Sequence, residues 1–157
     1  MARVLILGYG NPLRGDDGFG WHTAQRLSAQ FHSPDVQVIA CDQLTLELAE
    51  DISRAERVLF IDAARNLRAG DVRCETIAPR APGERGSPLS YSHHLPPSTL
   101  LNVCRELYGS TPRAFLVSVG GEEFSQPDRL SKTVTEVLDQ VITLVQNFIS
   151  TGECNVP

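Results

Sequence analysis

Three carboxylates and two imidazoles stand at positions from which they could act together. Asp16 and Asp17 are adjacent in a Gly-rich stretch, Gly8-Tyr9-Gly10-Asn11-Pro12-Leu13-Arg14-Gly15-Asp16-Asp17-Gly18-Phe19-Gly20, between an apolar run and a helical pattern. Asp62 closes a second apolar run, Val58 to Ile61, and His93 and His94 lie just ahead of Pro96-Pro97. Each has an ordinary reading when taken alone. One of Asp16 and Asp17 is expected to cap the helix and offset its dipole. Asp62 could close an Asx turn, and a histidine in a loop is commonly a surface residue. Convergence changes that reading. A carboxylate left over at the C-terminal end of a parallel strand lies where α/β proteins bind ligands. Two carboxylates and an imidazole make a three-ligand site with open positions, suited to nickel, zinc, manganese or ferrous iron. Donors of this kind, without thiolate, disfavour copper(I) and iron–sulfur clusters. His22 and His32 fall on the first helix and read as surface residues.

Other chemistries fit less well. A dinucleotide fingerprint needs glycine where Leu13 stands, and two carboxylates ahead of the helix would repel a pyrophosphate. There is no G-x-S-x-G elbow for a Ser-His-Asp hydrolase and no H-E-x-x-H helix for a zinc protease. Cys41, Cys74, Cys104 and Cys154 form no C-x-x-C pair and read as reduced thiols filling the core. The formal charge of −5 gives no general footprint for nucleic acid or an anionic membrane. No apolar run approaches the roughly 20 residues that span a bilayer. The apolar run near Met1 is too short for a signal peptide core. These features lead to the expectation of a cytoplasmic protein of one domain, residues 1–157, with no nucleic-acid or membrane partner.

The elements that must position the candidates follow from periodicity. Arg3 to Leu7 reads as a strand buried on both faces, Val36 to Cys41 as a second strand and Val58 to Ile61 as another buried one. Between them lie a helix with Gly20, Ala24, Leu27 and Phe31 on one face, and a shorter one, Leu46 to Ile52, for which Thr45 is the expected cap. Such alternation argues an α/β fold with these three strands parallel. Only eight residues, Ala63 to Gly70, precede the alternating stretch Val72 to Ile77. A parallel crossover needs about 10–12, so this fourth strand is expected to run antiparallel to the third, at or near an edge. The segment after it must return over the ligand edge to reach a helix, Ser98 to Tyr108, with Leu100, Val103, Cys104 and Leu107 inward and Gly109 as its stop. Ala114 to Val119 is a fifth strand, and Val134, Val137, Leu138, Val141, Ile142, Val145, Phe148 and Ile149 form the apolar stripe of a last helix. The expected architecture is a three-layer α/β/α sandwich around a twisted, mostly parallel, five-stranded mixed sheet.

The pattern Gly8-x-Gly10-Asn11-x-Leu13-x-x-Asp16-Asp17-Gly18-x-Gly20 resembles the amino-terminal signature of the hydrogenase maturation endopeptidases. Phe60-Ile61-Asp62-Ala63, Ser92-His93-His94-Leu95, and Leu116 to Phe124 followed by Leu130-Ser131 resemble that family's later motifs, in order and nearly full length. The resemblance implies a hydrolase, an aspartic-type endopeptidase that trims the carboxyl-terminal extension of a nickel–iron hydrogenase large-subunit precursor after nickel insertion. It implies Asp17, Asp62 and His93 as the metal-recognising and catalytic groups, His93 being preferred because a large apolar residue, Leu95, follows one position on. Asp16 is then a candidate general base. Nickel is expected to arrive with the substrate, and zinc or cadmium could occupy the site in vitro. Many members read Asp-Gly-Gly-Thr where this chain has Asp42-Gln43-Leu44-Thr45. Asp42 and Gln43 are therefore candidates for selecting the partner. Two other classes fit a similar sheet: a metal-binding maturation chaperone or checkpoint without proteolysis, and a small-molecule hydrolase or nucleotide binder.

Overall fold

The computed structural model describes residues 3–81, 95–125 and 128–156. In chain order these form β1 (Val4–Tyr9), a 3-10 turn (Gly15–Gly18), α1 (Phe19–Gln30), β2 (Val36–Cys41), α2 (Leu48–Arg54) and β3 (Arg57–Ala64). There follow β4 (Val72–Ile77), α3 (Pro97–Tyr108), β5 (Arg113–Gly120) and α4 (Lys132–Thr151). The sheet order is β2-β1-β3-β5-β4, parallel except for the antiparallel pairing of β4 with β5.

Strand parity explains the layers. Val4, Ile6, Leu59, Ile61, Phe115, Val117 and Val119 point to one face, where Phe19 and Leu27 of α1 and the stripe of α4 cover them. Leu5, Leu7, Val58, Phe60 and Ala114 point to the other, against Ala49 and Ile52 of α2 and Leu100, Leu101 and Cys104 of α3. Strands covered on both sides read as continuous apolar runs, which is why β1, β3 and β5 were legible without alternation. The three-layer α/β/α sandwich with a mixed sheet is as expected, and β4 is an edge strand. Its hydrogen bonds, however, go to β5 and not to β3, because β5 inserts between them.

Local expectations differ in four places. Neither Asp16 nor Asp17 caps α1; the cap position is Gly18, and no side chain makes a capping hydrogen bond there. Thr45 does not cap α2, which starts two residues later than expected, at Leu48 behind Glu47. Asp62 lies within β3, which runs on to Ala64. On α3 Leu101 is buried together with Leu100 and Cys104, while Leu107 is 70 % exposed.

Two glycines hold α1 to the sheet. A Cβ at Gly20 would run into the Ile61 carbonyl and the Tyr9 backbone, so the helix axis lies unusually close to β1 and β3. Gly10 has φ +138°, and a Cβ there would strike the Asp17 carbonyl; only glycine permits the loop to fold back this tightly.

The four cysteines are not all free. Cys74, on β4, and Cys154, just after α4, form a disulfide with Cα atoms 6.2 Å apart. Both side chains pack against the core under α4, so burial brings together two cysteines 80 positions apart. Cys41 and Cys104 are free. No helix among the described residues is long and apolar enough to cross a membrane.

Candidate active site

The connections leaving β1 and β3 diverge, one toward β2 and the other toward β4 beyond β5. Their C-terminal ends therefore flank a crevice, the place where open α/β sheets bind ligands. A cavity of about 260 Å³ opens there, lined by Tyr9, Gly10, Asp17, Asp42, Leu44, Asp62, Leu95, Pro96 and Pro97. One wall is acidic, the other apolar and proline-rich, and no Lys or Arg is among these residues.

Asp62 reaches the cavity by strand parity. It continues the row Val58, Phe60 on the α2/α3 face of β3, as Tyr9 continues Leu5, Leu7 on neighbouring β1. The Tyr9 ring meets Phe60 edge-on at 6.5 Å, and its hydroxyl lies against the Asp62 carboxyl. Asp62 Oδ1 also accepts a 2.8 Å hydrogen bond from the Ala63 N–H. Burial pushes the Asp62 carboxyl up to about 7, opposed by the Ala63 hydrogen bond and assisted by the Asp17 charge. Burial first, and then the Asp62 charge, raise the Tyr9 phenol well above its ordinary value.

Asp17 comes from the 3-10 turn. Its Oδ2 accepts from the Asn11 N–H at 2.9 Å, which orients the carboxylate across the folded-back loop. Asp42, just past β2, lies at the mouth of the same cavity. Gln43 is exposed and does not line it. Asp16 points the other way. It is fully buried, and its carboxylate accepts from the Glu122 and Glu123 N–H groups and from the Ser131 N–H and hydroxyl. A carboxylate filled by four donors on the far side of the turn cannot serve the cavity, so the expectation of Asp16 as general base fails.

His93 and His94 lie outside the described residues. Leu95, which lines the cavity, follows His93 by two positions. Among the described residues no three His, Cys, Asp or Glu side chains cluster closely enough to hold an ion by themselves. The carboxylates present nevertheless suit a divalent cation. Asp17 and Asp62 repel one another in a partly buried cavity with no basic lining residue among the described ones, a cost that a cation between them would remove. Thiolate chemistry is disfavoured: burial, with the Asp42 charge, pushes the Cys41 thiol up to about 11.

Two residues depart from the sequence pattern. His22 is half-buried, its Nε2 without a hydrogen-bond partner among the described residues, and burial lowers its pKa. Tyr9 carries no local signal of a role, because the β1 pattern reads as core up to the glycine and nothing nearby in sequence reveals its partner on β3.

Solved structures share this fold. The NiFe hydrogenase maturation protease HycI of Thermococcus kodakarensis superposes with TM-score 0.75 over 96 % of this chain and 94 % of its own, at 24 % identity. The hydrogenase maturating endopeptidase HybD of E. coli gives TM-score 0.74 over the same shares, at 20 % identity. The fold is that of the hydrogenase maturation proteases. In sequence, a Methanocaldococcus jannaschii protein provisionally named a hydrogenase maturation protease is 29 % identical over 155 residues, covering 90 % of this chain and 93 % of its own. No family model matches the chain. The relatives are thus named as proteases or endopeptidases of hydrogenase maturation, and the resemblance read from the sequence motifs runs nearly full length.

Proposed function

We propose that this chain is an endopeptidase that removes the carboxyl-terminal extension from the large-subunit precursor of a nickel–iron hydrogenase once nickel has been inserted. The observation that carries the reading is the pairing of Asp17 and Asp62 in one cavity, with the Asp62 carboxyl pushed up to about 7 by burial and by the Asp17 charge. On this reading Asp17, Asp62 and His93 recognise nickel brought by the substrate. Zinc or cadmium can stand in for it in vitro, since carboxylate and imidazole accept any borderline divalent ion.

The chain's own residues supply orientation and exclusion of water. The Asn11 N–H fixes Asp17, the Ala63 N–H and the Tyr9 hydroxyl fix Asp62, and Leu44, Leu95, Pro96 and Pro97 dry the opposite wall. At about 260 Å³ the cavity falls below the roughly 300–1,000 Å³ usual for small-molecule pockets, a size for an ion and a side chain, not a nucleotide. Recognition of a metal already seated in the precursor would hold the scissile bond in place, so that much of the acceleration comes from proximity. Asp42 at the cavity mouth, with Gln43 beside it in the chain, contributes to the choice of precursor.

The test is incubation of purified protein with nickel-loaded and nickel-free precursor, followed by intact mass. Loss of the extension from the loaded precursor alone is the expected result. Efficient cutting of nickel-free precursor by zinc-loaded protein would make it an ordinary metalloprotease. Tight capture of the loaded precursor with no cut would make it a checkpoint protein.

A further inference from the structure

Asp16 sits next to a residue of the proposed site yet takes no part in the cavity. Its carboxylate is fully buried and bonded to one distant segment, at 2.8 Å from Glu122 N, 2.9 Å from Glu123 N, and 2.7 Å from both Ser131 N and Ser131 Oγ. Its own N–H donates to the Glu123 carbonyl at 2.7 Å. The Ser131 hydroxyl also accepts from the Val134 N–H at 3.3 Å, as the N-cap of α4. A 3-10 turn has about three residues per turn, so successive side chains diverge by about 120°. Anchoring Asp16 inward therefore turns Asp17 outward.

We propose that Asp16 is a positioning residue: through Ser131 it locks the turn that carries Asp17 to the start of α4, so that residues outside the cavity set the geometry of the carboxylate inside it. The proposal rests on the reading of Asp17 as a metal-recognising group only for its functional consequence. The lock itself follows from burial. Charge-assisted hydrogen bonds hold an ionised carboxylate in the interior, and removing a donor leaves it short of a partner, so the turn must shift to recover one.

The Asn11 N–H, bonded to Asp17 Oδ2, reports Asp17 orientation without any metal. Amide exchange is compared in wild type, Ser131→Ala, Ser131→Thr and Val141→Ala. The last removes buried methyl groups from the same helix without touching these bonds. Asn11 is expected to exchange about tenfold faster in Ser131→Ala, to recover in Ser131→Thr, which keeps the hydroxyl, and to stay unchanged in Val141→Ala. Unchanged exchange in Ser131→Ala, or equal acceleration in Val141→Ala, overturns the proposal. Cadmium titration of the same proteins reads the consequence, with about tenfold weaker binding expected in Ser131→Ala alone. If no variant, wild type included, bound cadmium while Asn11 responded as stated, the metal reading would fail and the positioning role would stand.

Discussion

Tyr9 and Asp62 occupy the same level on adjacent parallel strands, one residue beyond the Gly8–Ile61 register pair, and the phenol of the first lies against the carboxyl of the second. A cross-strand pair at the end of a buried face thus becomes the floor of the cavity. Tyr9→Phe keeps the ring on Phe60 and deletes only the hydroxyl. We expect processing to fall about tenfold, equivalent to about 1.4 kcal/mol, with stability changed by no more than about 1 kcal/mol. Parallel precursor assays and thermal melts check both; full activity in the variant would remove Tyr9 from the site.

Asp62 makes stability depend on pH with a defined sign. Its folded value of about 7 stands above about 3.9 for an unfolded Asp. Between those values the native state holds more protons than the unfolded one, so the metal-free protein should lose stability as pH rises through that window and level off above it. Denaturant melts at pH 4.5 and 8 should show the fall in wild type and a smaller one in Asp62→Asn. Excess cadmium should reverse the trend, because deprotonated carboxylates bind the ion.

His93 and His94 are separated by alanine substitution. His93→Ala is expected to abolish processing and weaken cadmium binding, with His94→Ala close to wild type. Thermal melts of both variants should match wild type, so that lost processing reports a lost role. The opposite ranking would transfer the role to His94.

The Cys74–Cys154 bond closes a loop of 80 residues. Loop-closure entropy sets a ceiling of about 4.5 kcal/mol on its contribution. Cys154→Ser should melt lower than oxidised wild type by a few kcal/mol, and dithiothreitol should lower wild type to the same level without affecting the variant. Precursor processing should survive in both, since the bond lies away from the cavity.

What could be read from the chain, and what could not, divides by distance in sequence. The strands β1, β2, β3 and β5 were legible because each is a short apolar run closed by Gly or Asp. Asp17 and Asp62 were legible as neighbours because each belongs to the C-terminal side of a parallel strand, Asp17 in the turn after β1 and Asp62 near the end of β3. The partners of Asp16 lie more than 100 positions away, and Cys154 lies 80 from Cys74. No local pattern encodes such pairs; only the packing of α4 over the sheet creates them. Leu101 and Leu107 show the limit of periodicity itself. Periodicity assigns Leu107 to the inward face of α3, yet it is Leu101 that is buried.

The closeness of α1 to the sheet at Gly20 has a consequence for how inactive variants are interpreted. A single methyl at position 20 would act as a wedge between the helix and two strands, lifting the start of α1 and, with it, the turn that presents Asp17. Gly20→Ala would then appear in a screen for loss of processing beside Asp17→Ala and Asp62→Ala, although it carries no reactive group. A melting curve separates the two kinds of lesion, because the wedge unseats the scaffold while the carboxylate substitutions leave it in place.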